Sequence, residues 1–312
     1  MNKLSIVIPC YRSAGTISGV VEELTRVLAN LPEWDYRIIM VSDSSPDNVY
    51  EVICDLCKAD PEHLIGVELA RNFGQNSALM AGYHAATGDV VLSMDDDGQA
   101  PVESLPEMLK ALETADVVYG SYACKKHHFF RNLGSRFNDW MMCMLLGKPR
   151  GLQITSFMAA RRFIINEMLR ADNPYPILDG LVLRSTRNIV NIPVNHRARE
   201  QGESGYTVTK LVMLWLNGVI AFSIVPLRVA SACGFLCSLA GGLYGIWVII
   251  QHLLDPTVPQ GYSSMMAVML FVGGLLMLML GVIGEYVGRI SLCANRCPQF
   301  VIRRRTGETT DC

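Results

Sequence analysis

Three consecutive carboxylates, Asp95-Asp96-Asp97, are the feature of this sequence with the clearest capacity for chemistry. They directly follow a short apolar stretch, residues 90–94, that has the character of a buried strand. Adjacent carboxylates repel one another, so gathering them at one site is costly unless a cation is bound. Hard oxygen ligands suit Mg²⁺ or Mn²⁺, which proteins commonly hold through one or two carboxylates together with substrate phosphates. The pattern therefore favours a divalent ion that carries a diphosphate over a solvated acidic turn.

Polar segments also follow three other apolar runs near the start of the chain. They are residues 9–11, residues 42–47 and residues 71–75. Each segment alone is ordinary turn chemistry, because Asp, Ser, Pro and Gly are common turn residues. In a parallel sheet, however, ligands bind beyond the carboxyl ends of the strands. Four such segments after four strands predict one shared ligand site.

The elements that must position these segments alternate regularly between short apolar runs and amphipathic stretches. Strands are predicted at residues 4–8, 37–41, 64–69, 90–94 and 117–119, with helices at 17–28, 49–56, 77–86 and 101–112. This alternation predicts an α/β fold with a mostly parallel sheet, right-handed crossovers and helices on both faces. Neither a dinucleotide fingerprint nor a P-loop is present, so the phosphates must be held by other groups.

The second half of the chain carries the excess of hydrophobic residues. The whole chain is 50% hydrophobic and 18% charged, against about 25% charged in soluble domains. Residues 229–250 and 263–284 contain no charged side chain. A helix of that length spans about 33 Å, enough to cross a bilayer core. Two transmembrane helices are therefore predicted, and the net charge of −2 gives no reason to expect nucleic acid as a partner.

The distribution of basic residues predicts the orientation of these two helices. The connector, residues 251–262, has no Lys or Arg, whereas basic residues flank the pair on its outer sides. By the positive-inside rule, residues 1–205 and a basic tail, residues 291–312, face the cytoplasm. Apolar residues at helical spacing within residues 206–225 predict an interfacial amphipathic helix, with a core helix of the soluble domain as the alternative.

Ten cysteines are scattered along the chain without a secretory signal before them. This distribution predicts free thiols in a reducing compartment rather than a disulfide framework. Cys54 and Cys57 form one CxxC pair, but no second pair stands at zinc-binding spacing. We interpret them as buried thiols on one face of a helix.

Taken together, these motifs resemble family 2 glycosyltransferases of GT-A fold. The resemblance is carried by residues 6–11, residues 43–48, Arg71-Asn72-Phe73-Gly74-Gln75 and residues 95–103. With the Gly202-Glu203-Ser204-Gly205-Tyr206 segment and residues 284–290 after two apolar helices, nearly the whole chain is similar to the polyprenyl-phosphate glycosyltransferases. That dolichol-phosphate mannosyltransferase-like group has bacterial undecaprenyl-phosphate members. The resemblance implies metal-dependent, inverting sugar transfer from a nucleotide-sugar, usually a UDP-sugar, to a polyprenyl phosphate at the bacterial inner membrane.

The same resemblance implies roles for individual residues. The nucleotide would be bound by Pro9, Tyr11, Asp43, Arg71, Gln75, Asp95 and Asp96. The metal, Mg²⁺ or Mn²⁺, would be held by Asp97 and Gln99, and the acceptor phosphate by Arg131, Arg199 and Ser204. The catalytic residues implied in this way are Asp95, Asp97, Arg131 and Arg199.

The chain departs from the family pattern at several of these motifs. Ser42 and Ser44 stand where Asp and Gly are usual, Met158 stands where Arg is common, and Gly205 stands where Lys is common. Losing two cations from a phosphate-rich site leaves the sugar and the acceptor affinity open. A non-catalytic nucleotide-sugar scaffold is therefore kept as an alternative. A processive polysaccharide synthase is a weaker one, because the chain lacks a QxxRW motif and further membrane helices.

The expected reaction does not require a nucleophilic side chain of the protein. A phosphate monoester has a second pKa of about 6, so near neutral pH it is already a dianionic nucleophile. This fits the absence of an evident Ser-His-Asp or Cys-His arrangement. Asp179 is a candidate base, with a helix-cap or turn role as the competing interpretation. Glycine pairs in the apolar helices allow close helix packing, so a homo-oligomer is also possible.

Overall fold

The computed structural model describes residues 2–122, 147–171, 173–194, 261–295 and 297–306, together with residue 143 and single positions between 232 and 250. The chain forms two compact units, which are treated separately below. The first comprises Met1–Gly205 and Arg296–Cys312, and the second comprises Tyr206–Asn295. The first unit contains the candidate site.

The described part of the first unit is built on an eight-stranded sheet. Its strands are β1 (Asn2–Cys10), β2 (Trp34–Ser42), β3 (Leu64–Leu69), β4 (Val90–Ser93), β5 (Val117–Tyr122), β6 (Met158–Arg161), β7 (Ile189–Val194) and β8 (Ile302–Arg305). They lie in the order β7-β5-β6-β4-β1-β2-β3-β8. β1 is parallel to β2 and β4, β2 to β3, and β5 to β7, whereas β6 and β8 are antiparallel to their neighbours. The predicted mostly parallel sheet is confirmed.

Helices cover both faces of this sheet. They are α1 (Ile17–Leu28), α2 (Val49–Ala59), α3 (Gln75–Ala85), α4 (Leu105–Ala111), α5 (Arg162–Leu169) and α6 (Leu178–Ser185), with a 3₁₀ turn at Val102–Ser104. In β1, Ile6 and Ile8 pack in the core on the side of α1, α2 and α4, whereas Val7 packs on the side of α3, α5 and α6. The central strands are buried on both faces, which explains why they are continuous apolar runs in the sequence.

Helix α3 lies unusually close to the middle of the sheet. A Cβ atom placed on Gly82 would overlap a methyl group of Val7 on β1. Only glycine permits this approach, because any side chain there would force the helix away from β1. The contact fixes the height of α3 over the sheet, and with it the position of Gln75 at the start of the helix.

The basic tail contributes a strand, which the sequence did not predict. Residues 302–305 form β8 and pair antiparallel with β3. Arg304 Nε donates to Glu68 Oε2 at 2.8 Å, and Glu68 is only 8% exposed. Thr306 donates its backbone N–H to the Gly66 carbonyl at 2.9 Å, and its hydroxyl accepts from the Gly66 N–H at 2.8 Å. The tail therefore completes the edge of the sheet in the first unit.

Replacing Arg304 by methionine should lower the free energy of unfolding by about 1.5 kcal/mol, because a nearly buried Glu68 loses its cationic partner. Chemical unfolding of the full-length protein in detergent measures this change. Arg303→Met is the matched control, since Arg303 is exposed and, within the part of the chain that the structure describes, donates to the Ala70 carbonyl alone, at 3.0 Å. Equal losses in the two variants would contradict the assigned role of the Arg304–Glu68 pair.

The second unit contains one long apolar helix among its described residues. α7 (Tyr262–Ala294) runs for 33 residues and includes the predicted span 263–284. Its segment Phe271–Gly288 has a mean hydropathy of 1.8, and none of its described side chains is buried. It is the one described helix that is long and apolar enough to cross a bilayer. Residues 206–225 lie outside the described residues, as does half of the predicted span 229–250, whose described positions are helical.

The expectation of free thiols is correct for five cysteines and wrong for one. Among the described residues, the free thiols are Cys10, Cys57, Cys143, Cys293 and Cys297. Cys54 is disulfide-bonded, and its partner is not among the described residues. Because Cys57 is free, the two cysteines of the CxxC pair are not bonded to each other.

Candidate active site

Hydrogen bonds join the polar segment after β1 to the segment after β4. The Tyr11 N–H donates to Asp96 Oδ2 at 3.0 Å, and the Thr16 hydroxyl donates to the Asp96 carbonyl at 2.8 Å. Burial raises the pKa of the Asp96 carboxyl. Asp96 therefore turns inwards and positions the β1–α1 loop beside the acidic segment.

A second set of bonds joins the segment after β2 to the segment after β3. Asp43 is 3% exposed, and its two carboxylate oxygens accept from the N–H groups of Phe73 at 2.7 Å and Gly74 at 2.8 Å. Burial raises the pKa of Asp43, although these two bonds favour its charged form. Asp43 thus holds the loop that leads into α3, while its predicted contact with the nucleoside stays a prediction.

The loops after β1 and β2 also hold each other. The Arg12 N–H donates to Ser45 Oγ at 2.7 Å, and the Ala14 N–H donates to Asp47 Oδ2 at 3.0 Å. Arg12 and Ser44 have φ angles of 58° and 49°, in the left-handed region that favours glycine. Ser44 stands where the family usually has glycine, and its backbone still adopts the left-handed conformation that glycine favours. The bonds from neighbouring residues stabilise this strained geometry.

The other two carboxylates of the acidic segment face different partners. The side chain of Gln75 donates to Asp95 Oδ1 at 2.7 Å, and the Ser156 hydroxyl donates to Asp95 Oδ2. Asp97 accepts one bond, from the Gln99 N–H at 3.1 Å, across a turn in which Gly98 has a φ of 72°. No other partner of Asp97 is found among the described residues, so its second oxygen is open to a ligand.

This donor set fits a divalent cation that is held partly by its substrate. Within the described ranges, no group of three ligating side chains comes together to form a complete metal site. Asp97 offers a hard oxygen at a partly exposed turn, with Gln99 beside it. Mg²⁺ and Mn²⁺ are commonly bound in this way, with phosphate oxygens supplying further ligands.

Two aromatic residues with adjacent cations lie at the side of the site formed by β1 and β3. Tyr11 is 45% exposed, and the Arg12 guanidinium lies 5.6 Å from its ring centre. Arg71 is exposed and lies 4.5 Å from the ring centre of Phe73. Pro9 is buried within β1. An exposed ring, Tyr11, and a partly exposed ring, Phe73, each with an adjacent cation, suit a planar base and its phosphates.

Sequence analysis missed two residues that the structure places at the acidic segment. Ser156 lies 61 residues from Asp95 along the chain, and Tyr122 ends β5. Burial raises the pKa of Tyr122, and the charges of Asp95 and Asp97 raise it further. Ser156 precedes the antiparallel strand β6, which the βα alternation did not predict. The one available signal was the Thr155-Ser156-Phe157-Met158 segment, which was considered only for its departure at Met158.

The predicted acceptor residues lie outside the part of the chain that the structure describes. These are Arg131, Arg199 and Ser204. The structure therefore brings together the predicted nucleotide and metal residues, with Asp43 and Asp96 engaged in holding loops. The roles of the three acceptor residues stay predictions.

The first unit resembles a solved glycosyltransferase structure. It is similar to glucosyl-3-phosphoglycerate synthase from Mycobacterium tuberculosis, whose crystal structure is in complex with Mn²⁺, UDP-glucose and phosphoglyceric acid. The TM-score is 0.50 at 17% identity, covering 71% of this chain and 78% of the other. At this identity the likeness concerns the fold alone. Fold and site together define a GT-A-like α/β protein that is organised around the carboxyl edge of its sheet.

Sequence comparisons identify the family. Residues 5–169 match the model of glycosyl transferase family 2, and residues 225–290 match the GtrB C-terminal hairpin. The undecaprenyl-phosphate 4-deoxy-4-formamido-L-arabinose transferase of Proteus mirabilis (strain HI4320) is 30% identical over 98% of this chain and 95% of its own length. The transferase of the same name from Photorhabdus laumondii is 28% identical over 99% and 95%. The chain belongs to glycosyl transferase family 2 and is a glycosyltransferase, and the predicted resemblance to its polyprenyl-phosphate members is confirmed.

Proposed function

We propose that this protein transfers a sugar from a nucleotide-sugar, of the UDP type, to undecaprenyl phosphate or a similar polyprenyl phosphate. The observation that carries the proposal is the network of hydrogen bonds that joins the segments after β1, β2 and β3 to the acidic segment Asp95-Asp96-Asp97 after β4, in a family 2 chain. The names of the two curated relatives support the acceptor, and both are similar over almost the entire chain.

On the donor side, the nucleoside would lie against Tyr11 and Arg71, and the diphosphate beside Asp95 and Asp97. Asp97 with Gln99 would hold Mg²⁺ or Mn²⁺. When bound, the ion would neutralise the negative charge that develops on the nucleoside diphosphate leaving group. Gln75 and Ser156 fix the Asp95 carboxylate in one orientation, so the site is preorganised for the diphosphate before the donor binds.

On the acceptor side, the phosphate monoester itself is the nucleophile. One of its oxygens forms a bond to the anomeric carbon while the bond from that carbon to the diphosphate oxygen breaks, and the configuration inverts. No proton has to be removed from a dianionic phosphate, so no activated serine or cysteine is needed. The proposed acceptor residues, Arg131, Arg199 and Ser204, would offset the repulsion between the two anions.

Attachment to the membrane follows from the chemistry of the acceptor. A polyprenyl tail stays in the bilayer, so its phosphate is available only at the level of the headgroups. We propose that α7 and residues 229–250 form a membrane hairpin in the bacterial inner membrane, with the first unit in the cytoplasm. The apolar segment Phe271–Gly288 supports the first part of this proposal.

The test is a transfer reaction with full-length protein in detergent, a short-chain polyprenyl phosphate and a panel of UDP-sugars that includes the formamido-arabinose donor. Lipid-linked product, detected by mass spectrometry, is the expected result. Chelation of divalent ions should lower the initial rate about 100-fold or more, and added Mg²⁺ or Mn²⁺ should restore it. Nucleotide binding without any lipid-linked product would favour the scaffold alternative, and a rate insensitive to chelation would remove the metal from the proposal.

A further inference from the structure

A cluster of polar side chains lies in the core on the sheet face covered by α3 and α6. It consists of Tyr83 on α3, Ser93 on β4, Tyr119 on β5 and Asp179 on α6, and is here called the tyrosine–aspartate cluster. Tyr83 and Ser93 share a hydrogen bond of 2.6 Å between their hydroxyls. Burial raises the pKa of both phenols, and the nearby Asp179 carboxylate raises it further. Tyr83, Tyr119 and Leu178, the residue before Asp179, belong to one buried cluster of side chains, which places Asp179 beside the two tyrosines.

Two members of this cluster have no hydrogen-bond partner among the described residues. The Tyr119 hydroxyl is buried and unpartnered, and no described group forms a hydrogen bond with the Asp179 carboxyl. An unpartnered buried polar group costs about 1–3 kcal/mol, so native proteins retain few of them. Asp179 is the most exposed of the four residues. A ligand that carries a hydroxyl group could reach Asp179 and supply the partner that its carboxyl lacks.

The cluster lies next to the acidic segment along the sheet. In the strand order, β4 separates β1 from β6 and β5. The first turn of α3 contacts both places: Gln75 donates to Asp95, and Asn76 donates to the Pro176 carbonyl at 3.0 Å, just before α6 begins. Ser93 is the last residue of β4 and stands two residues before Asp95. One short turn thus connects the acidic segment to the segment that carries Asp179.

The order of these groups along the sheet matches the order of groups in a nucleotide-sugar. The segments proposed for the nucleoside follow β1, β2 and β3, and the segment proposed for the diphosphate follows β4. In the donor, the sugar is attached to the far phosphate, opposite the nucleoside. The same direction along the sheet leads on to β6, β5 and α6.

Lys148 also lies near Asp179. Burial raises the pKa of Asp179, and the positive charge of Lys148 opposes this effect.

We propose that Asp179 binds a hydroxyl or amide group of the donor sugar, and that the tyrosine–aspartate cluster is the base of the sugar subsite. This inference rests on the proposed function and deepens it, because it assigns the residue that selects among sugars. Asp179 also stands in the first turn of α6, where a carboxylate stabilises a helix through the helix dipole. The experiment must distinguish this structural role from a contact with the sugar.

The experiment combines one protein variant with donors that each lack a single ring hydroxyl. For the full-length wild-type protein, removing the hydroxyl that contacts Asp179 should lower kcat/KM by about 10-fold to 100-fold. In Asp179→Ala, the penalty for that one hydroxyl should shrink to less than about 3-fold, while the penalties at the other ring positions stay unchanged. Asp179→Asn provides a second variant of the same shape if the alanine variant does not fold.

Asp116→Asn is the matched control. Asp116 accepts a hydrogen bond from Thr186 at 2.7 Å, directly after the other end of α6. This variant should lower thermal stability without changing the selectivity for any ring position. If Asp179→Ala lowers the rate with every donor by one common factor, as a helix defect would, the sugar contact is excluded.

Binding measurements separate this inference from the proposed function. By calorimetry, Asp179→Ala should weaken binding of the UDP-sugar about 10-fold and leave binding of UDP unchanged. This result would support the subsite even if no sugar reached a lipid acceptor, an outcome that would contradict only the proposed function. Equal affinities of wild type and variant for the UDP-sugar would overturn the subsite.

Discussion

Replacing Asp97 by alanine should lower kcat by about 10³-fold or more and leave the free energy of unfolding within about 0.5 kcal/mol of wild type. The turn that carries Asp97 is partly exposed, and the carboxylate accepts only the Gln99 N–H among the described residues. Removing it therefore breaks little of the fold, since water can satisfy that N–H. The variant loses the carboxylate oxygen that is proposed to bind the metal. Initial rates, together with calorimetric titration of Mg²⁺ and nucleotide, measure both effects.

Asp55→Ala is the control for a nonspecific effect of removing a carboxylate. Asp55 is exposed on α2 and pairs with Lys58, which is also exposed, at 3.3 Å. This variant should keep the activity and stability of the wild type. An Asp97→Ala protein that transfers sugar at a rate within about 3-fold of wild type would exclude Asp97 as a metal ligand.

Replacing Asp43 by alanine should lower the free energy of unfolding by about 3 kcal/mol and weaken nucleotide binding as well. Both oxygens of this buried carboxylate accept backbone N–H groups, from Phe73 and Gly74, so the variant leaves two donors without partners. The loop before α3 should then loosen, and with it the hold of Gln75 on Asp95. Chemical unfolding gives the first quantity. Hydrogen exchange measures the local stability of the loop. The amides of Phe73 and Gly74 should exchange faster, by a factor larger than the global loss of stability explains.

Two further variants make the Asp43 result specific. Asp43→Asn keeps one acceptor oxygen, so its loss of stability should be about half that of Asp43→Ala. Asp35→Ala removes an exposed carboxylate near the opposite end of the same strand and should have no effect. Unchanged exchange at residues 73 and 74 in Asp43→Ala would show that the carboxylate does not hold this loop.

The first five strands and four helices could be predicted because each is specified by its own sequence. β1, β2 and β3 are buried on both faces, so their apolar runs are visible without knowledge of the neighbours. β6 and β8 are different. They are antiparallel strands of only four residues, Met158–Arg161 and Ile302–Arg305, too short to show a periodic pattern. A neighbouring strand, rather than a pattern of their own, determines that they form.

The position of the site could be predicted from the sequence, but the separate roles of its carboxylates could not. The rule that ligands bind beyond the carboxyl ends of parallel strands located the acidic segment and its three companions. The sequence could not distinguish Asp96, which turns towards the Tyr11 N–H, from Asp97, which stays on the exposed turn. That difference depends on the path of the chain after β4. Ser156 was missed for a related reason, since it reaches Asp95 only through the pairing of β6 with β4.

The late position of β8 in the chain determines when the sheet can be finished during synthesis. β3 is made early, but its partner strand leaves the ribosome only after the whole of residues 206–295 has been translated. Until then, β3 has an open edge, and open edges are prone to wrong pairing. A nascent chain arrested before residue 302 should therefore hold an unfinished sheet, so the long apolar helix α7 is synthesised before the fold of the enzyme is complete.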